Sequence, residues 1–64
     1  MRIKSPMTLT EIDGEQTYIP AVVLDLALQS WTSDECAGDP DHRTVPLSEL
    51  DCERAVALGY EVCE

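Results

Sequence analysis

One apolar run, residues 18–31, constrains the fold of this 64-residue chain more than any other feature. It holds most of the large apolar side chains, and no other segment is rich enough to anchor a core. Pro20 suits the first position of a helix, because that position needs no backbone N–H donor. Leu24 and Leu28 follow at helical spacing. The pattern predicts a helix from Pro20 to Trp31 that is covered on more than one face.

The segment before this run is typical of a β-hairpin. Residues 2–12 and 15–19 have the alternation and threonine content of strands. Asp13-Gly14 between them suits a two-residue turn, because both turn positions need a positive φ. A turn of this length sets three cross-strand pairs, which are Ile12 with Glu15, Leu9 with Tyr18 and Thr8 with Ile19.

The segment after the run predicts a loop, a second helix and a short strand. Residues 32–43 are rich in turn-forming residues and are expected to form a long acidic loop. Ser48 and Asp51 resemble a capping box at the start of a helix, and Gly59 marks its end. Residues 60–63 then read as a last strand that can pair with the N-terminal strand.

The length of the chain limits it to one small domain, residues 1–64. The predicted fold class is α+β, with an N-terminal β-hairpin, two helices and a short C-terminal strand in the order ββααβ. A chain of this size buries only about 60% of its unfolded surface, which leaves little room for a deep catalytic pocket. We therefore do not expect an enzyme.

The charge balance is strongly acidic, because thirteen Asp and Glu residues face four Lys and Arg residues, for a net charge of −9. The segment from Asp34 to Glu64 carries nine acids and two arginines, which is a charge of −7. Such a surface repels nucleic acid and anionic membranes and attracts basic proteins. The expected partner is a basic nucleic-acid-binding protein or complex, and neither nucleic acid itself nor a membrane.

Ten acidic residues in three segments form the candidate partner-binding surface. The predicted loop contributes the first group, the second helix the next group and the hairpin turn the last. They are Asp34, Glu35, Asp39 and Asp41, then Glu49, Asp51 and Glu53, then Glu11, Asp13 and Glu15. The helix acids also favour the positive end of the helix dipole, so the loop acids are the stronger candidates.

The cysteines Cys36, Cys52 and Cys63 are an odd number for a short chain. An odd count argues against the disulfide framework of a small secreted protein. Reduced thiols in the cytosol are the simpler interpretation, and one bridge with one free thiol remains an open alternative. The first residues also lack the apolar segment of a secretion signal, so the expected location is cytoplasmic.

No metal, cofactor or catalytic motif stands out in the sequence. Cys36, His42, Cys52 and Cys63 lack the close ligand pairs of structural zinc sites, so a small zinc-binding domain is kept only as an alternative. A calcium loop beginning at Asp39 would lack the required glycine and glutamate. Cys36 and His42 lie in one predicted flexible loop, which is a poor support for nucleophilic catalysis. We therefore expect no cofactor.

Two classes of function fit these features. The first is a charge mimic, because duplex DNA carries one negative charge per ~1.7 Å of axis and a compact body rich in carboxylates offers a basic channel a similar field. Such a protein would be a monomer, and its binding would compete with DNA and weaken with salt. The second is a regulatory module that dimerises or docks through an exposed patch of Val22, Leu26 and Trp31 on its apolar helix.

In size, acidity and cytosolic character, the chain resembles small phage-encoded inhibitors of host defence, the anti-CRISPR proteins. The resemblance is one of overall character, since Asp13-Gly14 and Ser48-x-x-Asp51 are general structural signals that do not define that family. It implies a target among the CRISPR surveillance complexes of a host cell. Type I Cascade, with its recruitment to DNA blocked, is the target we would expect first.

Overall fold

A computed structural model describes residues 1–63 of the chain. Within these residues the fold is α+β, as predicted, with five antiparallel strands in one sheet and two helices. In chain order the elements are β1 (Arg2–Ile12), β2 (Glu15–Pro20), α1 (Ala21–Asp25), β3 (Asp34–Cys36), β4 (Asp39–Pro46), α2 (Glu49–Ala57) and β5 (Glu61–Val62). Neither helix, at five and nine residues, has the length and apolar character needed to cross a membrane.

The first hairpin forms as the sequence predicts. The three predicted pairs, Ile12 with Glu15, Leu9 with Tyr18 and Thr8 with Ile19, are all present in the register of β1 and β2. Both turn residues have a positive φ, 52° at Asp13 and 85° at Gly14. The pair is therefore a two-residue turn whose twist matches that of the strands.

The remaining strands are arranged around β1. Its residues 7–12 pair with β2, and its residues 2–6 pair with β4. The sheet order is β2-β1-β4-β3, and β5 pairs with β1 at Ile3 and Lys4. The predicted pairing between the last strand and the N-terminal strand is confirmed.

The first helix, α1, is shorter than the predicted helix from Pro20 to Trp31. It stops because Ala27 has a φ of 53°, which lies in the left-handed region. The N–H groups of Ala27 and Leu28 donate to the carbonyls of Leu24 and Val23, at 3.1 and 3.0 Å. These two bonds make a Schellman motif, in which glycine usually holds the left-handed position. Because this position holds alanine, the sequence does not indicate that the helix ends here.

Residues 32–43 form most of a second hairpin, so the prediction of a loop is wrong. Gly38, with a φ of 78°, lies in the turn between β3 and β4. The pairing is irregular, with a register shift between Glu35 and Cys36. Strand β4 lies between β1 and β3, and its hydrogen bonds to both neighbours override the weak strand preference of Asp and Pro.

The second helix, α2, begins and ends where the sequence predicts. The Ser48 hydroxyl oxygen accepts a hydrogen bond from the Asp51 N–H at 3.3 Å, which caps the first turn. Gly59 follows the last turn with a φ of 102°. Its N–H and that of Tyr60 donate to carbonyls of the last turn, at 3.0 and 3.1 Å. The result is a Schellman end with the usual glycine.

The core lies between one face of the sheet and the two helices. Its buried members are Ile3, Val22, Leu26, Val45, Cys52 and Ala55, with Leu28, Leu47 and Tyr60 packed against them. Because side chains alternate along a strand, Ile3 and Ser5 are buried on this face and Arg2 and Lys4 belong to the opposite face. We refer to that opposite face as the polar face.

Ser5 supplies a cap for α1 from a distant strand. Its side chain is fully buried, and its Oγ accepts a hydrogen bond from the Val22 N–H at 3.0 Å. The same hydroxyl donates to the Pro6 carbonyl at 3.1 Å. Pro20, at the N-cap position, makes no side-chain bond. Without Ser5, the Val22 N–H would be buried without this partner.

We expect Ser5→Ala to lower the free energy of unfolding by about 1–3 kcal/mol, because it leaves a buried donor without an acceptor. Urea unfolding followed by circular dichroism measures the change. Ser30→Ala, at an exposed position, is the matched control and should change stability by less than about 0.5 kcal/mol. Equal losses in the two variants would contradict the role given to Ser5.

Candidate functional site

The outer part of the first hairpin, residues 8–18, extends beyond the core, and we refer to it as the hairpin arm. Every residue from Glu11 to Tyr18 is exposed. The arm also carries large apolar side chains in water, with exposed fractions of 47% for Leu9, 46% for Ile12 and 65% for Tyr18. A small domain that leaves such residues uncovered has a surface suited to a partner.

The arm is acidic and has no basic residue of its own. Glu11, Asp13 and Glu15 lie within five residues around the turn, and all three are exposed. The chain has no Lys, Arg or His between Lys4 and His42. None of the ion pairs within residues 1–63 includes an arm carboxylate. These charges are therefore free to act on a partner.

The second hairpin divides its acids between paired and unpaired positions. Asp34 forms an ion pair with Arg2, which also donates from Nε to Thr44 Oγ1 at 3.2 Å. Glu35 and Asp41 are exposed and take part in no ion pair among the described residues. The acids of this hairpin, which are the strongest candidates from the sequence, therefore differ in whether a basic side chain already neutralises their charge.

Asp39 has the most contacts of any predicted site residue. Its Oδ2 lies 2.6 Å from His42 Nδ1 and 3.8 Å from Lys4 Nζ, and its Oδ1 accepts a hydrogen bond from the Asp41 N–H at 3.0 Å. His42 Nδ1 is buried and has no hydrogen-bond partner of good geometry among the described residues, so its approach to Oδ2 is a close contact. The contact with His42, and next the Asp41 N–H, lowers the pKa of Asp39 below its ordinary value of 3.8.

The lowered pKa makes the contribution of Asp39 to stability dependent on pH. A carboxyl whose pKa is lower in the folded state stabilises the fold fully above its unfolded pKa and loses that effect as the pH falls through the folded value. We expect wild type to melt above Asp39→Asn at pH 6, and the difference to shrink once the pH falls below 3.8. Thermal melts across this range measure it. A difference that does not vary with pH would contradict the assignment.

The acids of α2 lie at the end of the molecule opposite the hairpin arm. Glu49 and Glu53 are exposed, while Asp51 pairs with Arg54 at 3.3 Å. The start of α2 lies beside the start of β1, because the Leu47 N–H donates to the Met1 carbonyl at 3.0 Å. The tip of the arm lies at the far end of β1, which at about 3.3 Å per residue is about 30 Å away. This separation is close to the longest dimension of the molecule, which is 32 Å.

Asp41 lies near the arm. A cleft of about 530 Å³ has both Tyr18 and Asp41 in its lining, together with His42 and Arg43. At this end of the molecule, the two faces of the arm together with Asp41 therefore present four exposed carboxylates and the apolar residues of the arm. We refer to this region as the arm surface, and it comprises Leu9, Glu11, Ile12, Asp13, Glu15, Tyr18 and Asp41.

The apolar patch proposed for a docking helix is not on the surface. Val22 is fully buried and Leu26 is 4% exposed, since both belong to the core, and only Trp31 is partly accessible, at 37%. The prediction of an exposed helical patch is therefore wrong.

The exposed apolar residues of the hairpin arm were not predicted from the sequence. The pairing of Leu9 with Tyr18 across the strands was predictable, but the alternation of side chains does not indicate which face of a hairpin is covered.

The zinc alternative gains no support from the arrangement of its residues. Cys52 belongs to the core cluster, whereas Cys36 and Cys63 lie together with their Sγ atoms 4.0 Å apart. Among residues 1–63, His, Cys, Asp and Glu side chains form no group of three or more that could hold a metal ion. The proximity of Cys36 to Cys63 had no signal in the sequence, because it depends on the unexpected strand β3.

Chemically, the arm surface can bind by ionic and apolar contacts together. Carboxylates attract Lys and Arg, and exposed aromatic and aliphatic side chains bury area against a protein partner. No protein-family model, curated protein or solved structure matches the chain.

Proposed function

We propose that the protein is a small acidic inhibitor that binds the nucleic-acid-binding surface of a host defence complex in place of DNA. The observation that carries this proposal is the exposed hairpin arm with three carboxylates, none of which forms an ion pair among residues 1–63. The net charge of −9 gives the whole molecule an attraction for basic proteins. The exposed carboxylates of the arm place part of this negative charge at one end of the molecule, where a basic partner can contact it.

The position of the charges matters more than their total in this mechanism. At physiological ionic strength the Debye length is about 8 Å, so a carboxylate about 30 Å from the contact contributes little. The arm surface and the α2 acids cannot both touch one small basic patch. We place the primary contact at the arm surface, because Asp34, Asp39 and Asp51 are already paired and the α2 acids also serve the helix dipole.

We propose type I Cascade as the target, in the cytoplasm of a host cell. This step depends on the resemblance of the chain to anti-CRISPR proteins in size and acidity. A guide-loaded surveillance complex holds DNA in a positively charged channel through backbone contacts. A monomer that occupies this channel through carboxylates would block recruitment to DNA without binding nucleic acid itself.

The experiment is a mobility-shift assay with purified guide-loaded type I Cascade and a labelled target duplex. We expect the protein to raise the apparent Kd for DNA in proportion to its concentration, and to do so less effectively as NaCl rises. An unrelated DNA-binding protein of similar basic charge serves as the specificity control. Unchanged DNA binding at a large molar excess of the protein would contradict Cascade as the target.

A second candidate function is a protein-interaction module that docks or dimerises through the arm. The exposed Leu9, Ile12 and Tyr18 favour it, because apolar contacts do not depend on ionic strength. Light scattering at low and high NaCl separates the two candidates. A dimer that persists at high salt supports the module, and a monomer whose partner binding weakens with salt supports the inhibitor.

A further inference from the structure

Two cysteine thiols meet on the polar face of the sheet, opposite the core. The Cys63 N–H donates to the Arg2 carbonyl at 2.8 Å, which holds Cys63 against the start of β1. The Sγ atoms of Cys36 and Cys63 are 4.0 Å apart, although the residues are separated by 27 positions in sequence. Both thiols are free, Cys36 being buried and Cys63 half-buried.

We propose that Cys36 and Cys63 are an oxidative modification site, where a small-molecule disulfide such as oxidised glutathione converts the two thiols into a reversible disulfide. A disulfide needs an S–S distance of about 2.05 Å, so the sulfur atoms must approach by about 2 Å. Within residues 1–63, Cys63 is held to the sheet by the two residues of β5 and one further backbone hydrogen bond, so a small shift there is sufficient. This inference is independent of the proposed function.

The reaction takes place in two exchange steps. The Cys63 thiol loses its proton, and its sulfur attacks one sulfur of oxidised glutathione, which releases one glutathione thiolate and leaves a mixed disulfide. The Cys36 thiol then loses its proton and attacks the Cys63 sulfur, which releases the second glutathione. Overall, two protein thiols lose two electrons and two protons, and one oxidised glutathione becomes two reduced molecules.

The environments of the two sulfur atoms assign these roles. Cys36 is only 7% exposed, so an external disulfide reaches Cys63 first. Burial, followed by the contact with Cys63, raises the pKa of the Cys36 thiol. A thiol that stays protonated is a poor first attacker, but it can resolve a mixed disulfide formed beside it.

Cys52 cannot replace either partner in the folded protein. It is 2% exposed within the core cluster, and its Sγ–H is directed at the Leu47 carbonyl at 3.8 Å. The sheet therefore separates it from the thiols on the polar face. This leaves one thiol, that of Cys52, after oxidation.

The bond would join β3 to the residue that follows β5 and close a loop that contains β4, α2 and β5. Closing a loop of this length removes entropy from the unfolded chain, an effect that stabilises native proteins substantially. For a domain of about 60 residues, we expect the melting temperature to rise by on the order of 10 °C.

The test is incubation of the native protein with oxidised glutathione, followed by thiol titration, intact mass and thermal melting. We expect one remaining thiol, a mass lower by two hydrogens, a higher melting temperature and full reversal by dithiothreitol. Three remaining thiols, or a stable product carrying one bound glutathione, would overturn the proposal.

Single substitutions complete the test. Cys36→Ser and Cys63→Ser should each abolish the rise in melting temperature, while Cys52→Ala, the matched control, should keep it despite a lower starting stability. Peptide mapping of the oxidised wild type should show Cys36 linked to Cys63. A crosslink that includes Cys52 would contradict the assignment.

Discussion

The variant Glu11→Lys/Glu15→Lys should lose about 100-fold in affinity for its basic partner. Two attractive contacts become repulsive, and charges of the same sign opposed at an interface cost several kcal/mol, of which about 2.7 kcal/mol corresponds to 100-fold. Asp13 is left unchanged because its φ of 52° suits Asp in the turn. Affinity is measured by titration against immobilised Cascade, with circular dichroism to verify the fold.

The matched control is Glu49→Lys/Glu53→Lys on α2. Each double variant moves the formal net charge from −9 to −5, since every exchange of Glu for Lys adds two positive charges. If only total charge matters, the two variants lose affinity equally. We expect a loss of less than about 5-fold for α2, since its acids are screened from an arm-bound partner. Asp39 is avoided because a lysine there would face Lys4.

Ile3→Ala should remove about 2–5 kcal/mol of folding free energy. Ile3 is fully buried, pairs with both Val45 and Val62, and belongs to the core between the sheet and helices. Its loss removes apolar contacts and leaves a cavity. A domain of this size has a total stability of about 3–10 kcal/mol, so a large fraction of the variant should be unfolded at 37 °C. Urea unfolding measures the change.

Ile12→Ala is the control for this prediction. It removes the same atoms from the other end of the same strand, where Ile12 is 46% exposed. We expect a cost of less than about 1 kcal/mol, because much of that side chain is in water already. Similar losses at the two positions would mean that the arm is packed and not available for a partner.

The sequence predicts those elements whose signals are local. Asp13-Gly14 specifies a turn and therefore a register, and Ser48 with Gly59 marks both ends of α2. By contrast, α1 ends at a left-handed Ala27, a position where glycine is expected. Strand β4 begins with Asp-Pro-Asp, and only its two neighbouring strands explain why it is extended.

The candidate site is less predictable than the fold. The sequence offers ten candidate acids, but pairing with Arg2, Lys4 and Arg54 is a tertiary property that spacing does not reveal except within a helix. The separation of the α2 acids from the arm likewise depends on the direction in which β1 runs. Leu9 and Tyr18 are exposed although they pair across the hairpin, and the alternation of the strands does not reveal this exposure.

The most direct test of DNA replacement is whether one Cascade particle can hold both ligands. Native mass spectrometry of guide-loaded Cascade, with the protein and a saturating target duplex present together, answers this question. We predict complexes with the protein or with DNA, and none with both, the ratio following the two concentrations. A ternary complex of Cascade, DNA and the protein would contradict the proposal that the acidic arm occupies the DNA-binding surface.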